Sequence, residues 1–218
     1  LYYSYFQPAF YLIVDKIKSF FFNFIYCNLI SPLIEMKRIL NLKRSPSKKG
    51  IDAILPKDED KILSNYDEIL QGLYLGNYKA AKDKKFFKDK NITAVINCTG
   101  DLPNSFRSSK DIEYMRLTID DSLKEKDFKK MTKYLPIAVD FLYKNLVLEK
   151  KNVLAHCVEG KARSCTVVAG FLMKYMNFTP TQAIDFIQKR RLEAFFYKKS
   201  INFETSMDDY YKELHKKK

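Results

Sequence analysis

Apolar positions along the chain change their period around one short run. Val153-Leu154-Ala155 is a compact apolar stretch bounded by Lys150-Lys151-Asn152, as a buried strand requires, whereas Val167, Val168, Phe171, Leu172 and Tyr175 recur at helical spacing. Residues His156 to Ser164 therefore join a strand to a helix. Upstream, Ile112 to Ser122 alternates as a strand and ends in the adjacent pair Asp120-Asp121. Phe128, Met131, Leu135, Ala138, Val139 and Leu142 mark a helix, but Pro136 falls inside it, which predicts a kink or a later start. Downstream, Thr179-Pro180-Thr181-Gln182 combines an N-cap, a proline at the first helical position and a glutamine at the third. It opens a helix that carries Ala183, Ile184 and Ile187 inward. Phe203, Met207, Tyr210, Tyr211 and Leu214 form a terminal amphipathic helix.

The start of the chain has another pattern. Phe10, Ile13, Val14, Ile17, Phe20, Phe21, Phe24 and Ile25 gather on one side of a helical wheel, with Asp15, Lys16, Lys18, Ser19 and Asn23 on the other. Lys37-Arg38, Lys43-Arg44 and Lys48-Lys49 follow, then a polar stretch from Ser45 to Lys61 containing Pro46, Gly50 and Pro56 that reads as a linker. Three readings of this segment stay open. It is a peripheral membrane contact through residues 10–49, a helix packed on the rest of the protein, or a signal-anchor, for which the uncharged stretch Ser19 to Ile34 falls short of the ~20 apolar residues of a span.

Length and charge refine the picture. A chain of 218 residues accommodates one domain of ordinary size, placed at 61–218, behind an N-terminal extension at 1–60. The net charge of +13 is spread over loops and helix faces without interleaved exposed aromatics, so nucleic acid is not an expected partner; it reads as a solvated surface with some attraction for acidic phosphosubstrates. The four cysteines, Cys27, Cys98, Cys157 and Cys165, form no paired-spacing framework, and no metal-ligand spacing occurs.

The strand-to-helix run carries the chemistry. Cys157 and Arg163 bracket five residues with Gly160 inside. A loop at a helix N-terminus presents unpaired N–H donors and the positive end of the dipole, which suits a phosphate or a thiolate. There a cysteine pKa falls from ~8.5 to about 3.5–7.5. Arg163 supplies a planar fork that grips two phosphate oxygens, and Gly160 lets the loop bend without a Cβ clash.

With these residues the chain resembles the catalytic domain of the dual-specificity protein phosphatases, of the Cys-x5-Arg-Ser type, in the MAP-kinase-phosphatase-like or the atypical branch. The likeness runs from about Asp67 to about Leu214. Glu68 to Asn77 is similar to the family's opening strand pair, Ile92 to Asn97 to its next core strand, and Leu102 to Phe106 to a segment of the MAP-kinase-phosphatase branch. The resemblance implies an α/β fold: a central, mostly parallel mixed sheet of about five strands flanked by helices, with the phosphatase P-loop between a strand and a helix. It implies hydrolysis of phosphotyrosine, phosphoserine and phosphothreonine in proteins through a cysteinyl-phosphate, without cofactor or metal. Cys157 would be the nucleophile, Arg163 the phosphate clamp, Ser164 the hydrogen-bond donor to the sulfur and Asp121 the general acid. Asp120 is the alternative acid, since neighbours on an extended chain point opposite ways. His156, Val158, Glu159, Gly160, Lys161, Ala162 and Arg163 would form the substrate-binding loop. Lys161 adds positive charge near its mouth and Glu159 opposes it.

The resemblance further implies phosphoprotein partners, protein kinases among them, and a redox role for Cys98, as an alternative to a small buried core residue. A thiolate nucleophile favours a reducing compartment, so a cytoplasmic or nuclear setting, with or without membrane association, is expected. The rival functions are a phosphoinositide phosphatase, an RNA 5′-phosphatase and a catalytically silent phosphopeptide-binding module. The segment Arg191 to Ser200 departs from the family's Pro-Asn turn and leaves its conformation undecided.

Overall fold

The computed structural model describes residues 64–122, 124–196 and 203–216. The N-terminal extension, and with it the expected amphipathic helix, peripheral membrane contact and linker, lies outside them. Among the described residues no helix is long and apolar enough to cross a membrane.

Two strands open the fold, β1 (Tyr66–Leu70) and β2 (Leu73–Gly76), joined by a tight turn at Gly72, whose φ is +79°. Two short helices follow, α1 (Tyr78–Lys82) and α2 (Lys84–Asp89), capped by Asn77 and Asp83, each accepting two backbone N–H groups. Then come β3 (Ile92–Asn97), β4 (Glu113–Arg116), α3 (Glu125–Leu142) with a π-helical continuation (Tyr143–Leu148), β5 (Asn152–His156), α4 (Arg163–Met176), α5 (Pro180–Gln188) and α6 (Glu204–His215). The sheet order is β1-β2-β5-β3-β4. Only the β1–β2 pair is antiparallel, so the sheet is mixed and mostly parallel, in agreement with the expected architecture.

β5 lies at the centre of this sheet, which explains its unbroken apolar run: Val153, Leu154 and Ala155 are fully buried. At its C-terminal end His156 stands in register with Gly76 of β2 and Asn97 of β3. Ligands of open parallel sheets bind outside the carboxyl ends of the strands, and the His156–Ser164 run leaves the sheet there. α4 packs behind it. Gly170 lets α4 approach α3, because a Cβ at that position would stand 3.0 Å from both Leu135 and Val139.

Two expectations need correction. α3 begins at Glu125 and runs through Pro136 without interruption, so the helix has no later start. Pro136 lacks the N–H that would reach Thr132, but Met131, Leu135, Ala138, Val139 and Leu142 are all fully buried. At about 1.5–3 kcal/mol per buried large side chain, that packing outweighs a proline cost of ~3 kcal/mol. The strand read from Ile112 to Ser122 is only Glu113–Arg116. β3 ends at Asn97, so nothing remains to pair with beyond it. The Leu117 N–H takes the last carbonyl, that of Asn97 (2.8 Å), and the Ile119 N–H turns back onto Leu117 (2.9 Å). The apolar alternation persists because Leu117 and Ile119 still insert into the core.

The Thr179 capping box is present, and Phe203, Met207 and Tyr210 bury the inner face of the terminal helix.

Candidate active site

Cys157 follows directly on β5 and is 2% exposed. Its Sγ accepts hydrogen bonds from the Gly160 N–H at 3.2 Å and the Ser164 hydroxyl at 3.4 Å. Burial by itself would push this thiol up. The Arg163 guanidinium, the Ser164 hydroxyl and the N–H groups of Ser164 and Gly160 favour the thiolate, and together they hold Cys157 below the ordinary thiol value. α4 has no side-chain cap at its N-terminus, so the N–H groups of its first turn are left for the loop and its ligand.

Arg163 is the first residue of α4 and is 4% exposed. One terminal nitrogen donates to the Ile119 carbonyl (3.1 Å) and the other meets the Asp121 carboxylate (3.1 Å). Its Nε–H is buried and has no hydrogen-bond partner among the described residues. The segment after β4 thus delivers Asp121 to the guanidinium. Asp120 faces elsewhere, with its carboxylate 3.7 Å from the Lys126 ammonium. The alternation argument from sequence anticipates this split between neighbours.

His156 is 1% exposed, with Nδ1 3.3 Å from the Cys157 carbonyl. Burial, reinforced by the charge of Arg163, pulls it down to about 4, so the imidazole is neutral. Cys98 follows β3, is fully buried, and donates its backbone N–H to the His156 carbonyl (2.8 Å). Burial and the neighbouring Cys157 push its thiol well above the usual value, and Cys165 on α4 is raised for the same reasons. All three cysteines among the described residues are free thiols.

The rest of the loop is held from outside. The Val158 carbonyl accepts the Tyr78 N–H (2.9 Å), and the Lys161 carbonyl accepts the Phe195 N–H (2.7 Å). The Val158 side chain is 41% exposed, whereas Ala162 is buried. The Lys161 charge at the mouth is opposed by Glu159, as expected, and by Glu193 as well. Its ammonium lies 3.5 Å from Glu159 and 3.7 Å from Glu193, so two carboxylates offset it. Glu193 belongs to the segment that departs from the resemblance, and no local spacing reveals this pairing.

Arg191 is a residue that sequence reasoning missed. It is 1% exposed and reaches the backs of Glu159 and Gly160. The only sequence signal was its place at the head of the undecided segment. Among the described residues no group of three or more His, Cys, Asp or Glu side chains is arranged to hold a metal ion. A cleft of about 570 Å³ between α3 and α6, lined by Phe128, Thr132, Pro136, Ser206 and Asp209, shares no residue with this site.

Residues 73–213 match the family model described as dual specificity phosphatase, catalytic domain. The chain is 30% identical over 145 residues to dual specificity protein phosphatase Mpk3 of Drosophila melanogaster, covering 64% of this chain and 34% of that protein. It is 27% identical over 124 residues to human dual specificity protein phosphatase 9, covering 57% of this chain and 31% of that protein. The chain thus spans about a third of the length of these curated relatives. The crystal structure of human DUSP28 superposes with a TM-score of 0.61 at 17% identity, covering 70% of this chain and 97% of that one, a likeness of fold. The chain belongs to the dual specificity phosphatase catalytic-domain family.

Proposed function

We propose that the protein hydrolyses phosphotyrosine, phosphoserine and phosphothreonine in proteins through a cysteinyl-phosphate intermediate. The observation that carries this reading is the sulfur of Cys157, buried and yet met by two hydrogen-bond donors and a guanidinium. Thiolate Cys157 attacks phosphorus in line. The loop N–H groups and Arg163, whose Nε–H is unspent, hold the equatorial oxygens as charge develops on them. The P–O bond to the substrate side chain breaks, and protonated Asp121 delivers its proton to the leaving oxygen. Water, deprotonated by the Asp121 carboxylate, then attacks the phosphocysteine. Sulfur departs as a thiolate, stabilised by the Ser164 hydroxyl, and phosphate is released. His156, neutral behind the loop, orients the Cys157 backbone.

Phosphoproteins, protein kinases among them, are the partners this reading implies, in a reducing cytoplasmic or nuclear setting. The carboxylates around Lys161 favour protein substrates over more highly charged phosphoinositide headgroups.

The test is hydrolysis of p-nitrophenyl phosphate and of phosphotyrosyl and phosphothreonyl peptides, beside a phosphoinositide and a 5′-triphosphorylated RNA. Cys157→Ser should lower turnover of the aryl phosphate and both peptides by about 10⁴-fold or more. Binding of phosphopeptide without turnover would instead identify a silent module, and preference for the lipid or the RNA would redirect the substrate assignment.

A further inference from the structure

Arg191 lies just beyond α5 and is among the largest fully buried side chains of the described residues. Its Nε–H donates to the Gly160 carbonyl (2.8 Å) and its Nη2 to the Glu159 carbonyl (3.2 Å). Its Nη1 donates to the Ser64 carbonyl (3.1 Å) and the Asp67 carboxylate (2.8 Å). The phosphoryl chemistry proposed above makes no use of this guanidinium.

The geometry of the peptide bond gives it a task. The Glu159 carbonyl and the Gly160 N–H belong to one planar trans unit, so they point in opposite directions. Drawing that carbonyl back onto Arg191 turns the Gly160 N–H forward, where it meets Cys157 Sγ at 3.2 Å. In the next unit, Arg191 and the Cys165 thiol (3.3 Å) both hold the Gly160 carbonyl. The Lys161 N–H must therefore point away from Arg191. Gly160 makes the arrangement possible. Its φ is +70°, and a Cβ there would stand 2.6 Å from the Gly76 carbonyl and 3.0 Å from Arg191 Nη2.

We propose that Arg191 is a positioning residue of the anion loop. Anchored by Asp67, it holds two consecutive carbonyls outward and so aims the Gly160 and Lys161 N–H groups at the sulfur and at the phosphoryl oxygens. Only a planar fork reaches both carbonyls and the anchor at once; a lysine ammonium keeps the charge without that span. The proposal rests on the reading of Cys157 as a phosphate-facing nucleophile, and its test separates the two.

The test measures alkylation of Cys157 by iodoacetamide in the full chain as a function of pH, with and without inorganic phosphate, by mass spectrometry of the Cys157 peptide. Folding is checked by circular dichroism. Losing one aligned N–H donor to a charged acceptor should raise the Cys157 thiol pKa by about one unit and the protecting phosphate concentration about tenfold, in Arg191→Met and Arg191→Lys alike. Asp67→Asn keeps Arg191 and should shift both readouts in the same direction by less. Should Arg191→Met fail to fold, the lysine and Asp67 variants decide. Folded variants that match the parent, or full rescue by lysine, overturn the clamp. If phosphate does not protect Cys157 in the parent chain, the phosphatase reading falls and the clamp with it.

Discussion

The two halves of the site are held in opposite ways. The loop from Cys157 to Arg163 is tied on every side: Tyr78 holds Val158, Phe195 holds Lys161, Arg191 holds Glu159 and Gly160, and α4 closes its end. The segment carrying Asp120 and Asp121 has left the sheet. Leu117 and Ile119 root it in the core, but Asp121 is 44% exposed and meets the protein through Arg163. Ser122 bonds the buried Asp127 at the start of α3. A nucleophile and its anion cradle gain most from preorganisation, since their dipoles must already be aimed as charge develops. A proton donor must instead give way as substrate enters and leaves.

The most damaging way to break this contrast is Gly160→Ala. A side chain there meets the Gly76 backbone at 2.6 Å in a left-handed conformation, so the cradle must shift. Turnover of aryl phosphate should fall by about 10³-fold, with stability lower by about 1–3 kcal/mol in denaturant titration. If both values stay at the parent level, the cradle is not held as described.

Asp121→Asn should separate the halves more cleanly. Its turnover falls by about 10²-fold while thermal unfolding and Cys157 alkylation stay near the parent, because the segment contributes chemistry and little stability. Asp120→Asn, whose carboxylate lies 3.7 Å from exposed Lys126, should stay within about twofold of the parent. A reversal of the two effects in steady-state kinetics would move the acid to Asp120.

The rigid half also has a signature at low pH. His156 is held neutral, with its folded value pulled down to about 4. An unfolded histidine takes its proton near 6.5, so between these values the unfolded chain binds more protons. Stability should therefore fall as pH drops from about 6.5 to about 4, by about 3 kcal/mol in all. His156→Asn should flatten this limb in urea titrations across that range, and an unchanged limb would show that His156 does not cause it.

Much of this was legible in advance. The strand, the loop and the helix around Cys157 follow from residues that are neighbours in sequence, whose spacing sets their faces and whose backbone conformation needs no distant partner. The Thr179 capping box was readable for the same reason. The later start allowed at Pro136 does not occur, because the proline's cost is local, whereas the burial that offsets it depends on α4 and Gly170. The extent of β4 misled because alternation reports burial, and burial outlasted the pairing.

The sequence by itself singled out Cys157, Arg163 and the Asp120-Asp121 pair as candidates, since their chemistry is intrinsic to the side chains and the Cys157–Arg163 spacing is short. Only the tertiary structure decided which aspartate meets Arg163, which carboxylates surround Lys161, and that Arg191 grips the loop from 31 residues away while anchored to Asp67, 124 residues distant. Contacts of that kind form only when the whole core packs, because the burial that repays the cost of closing such long loops is collective.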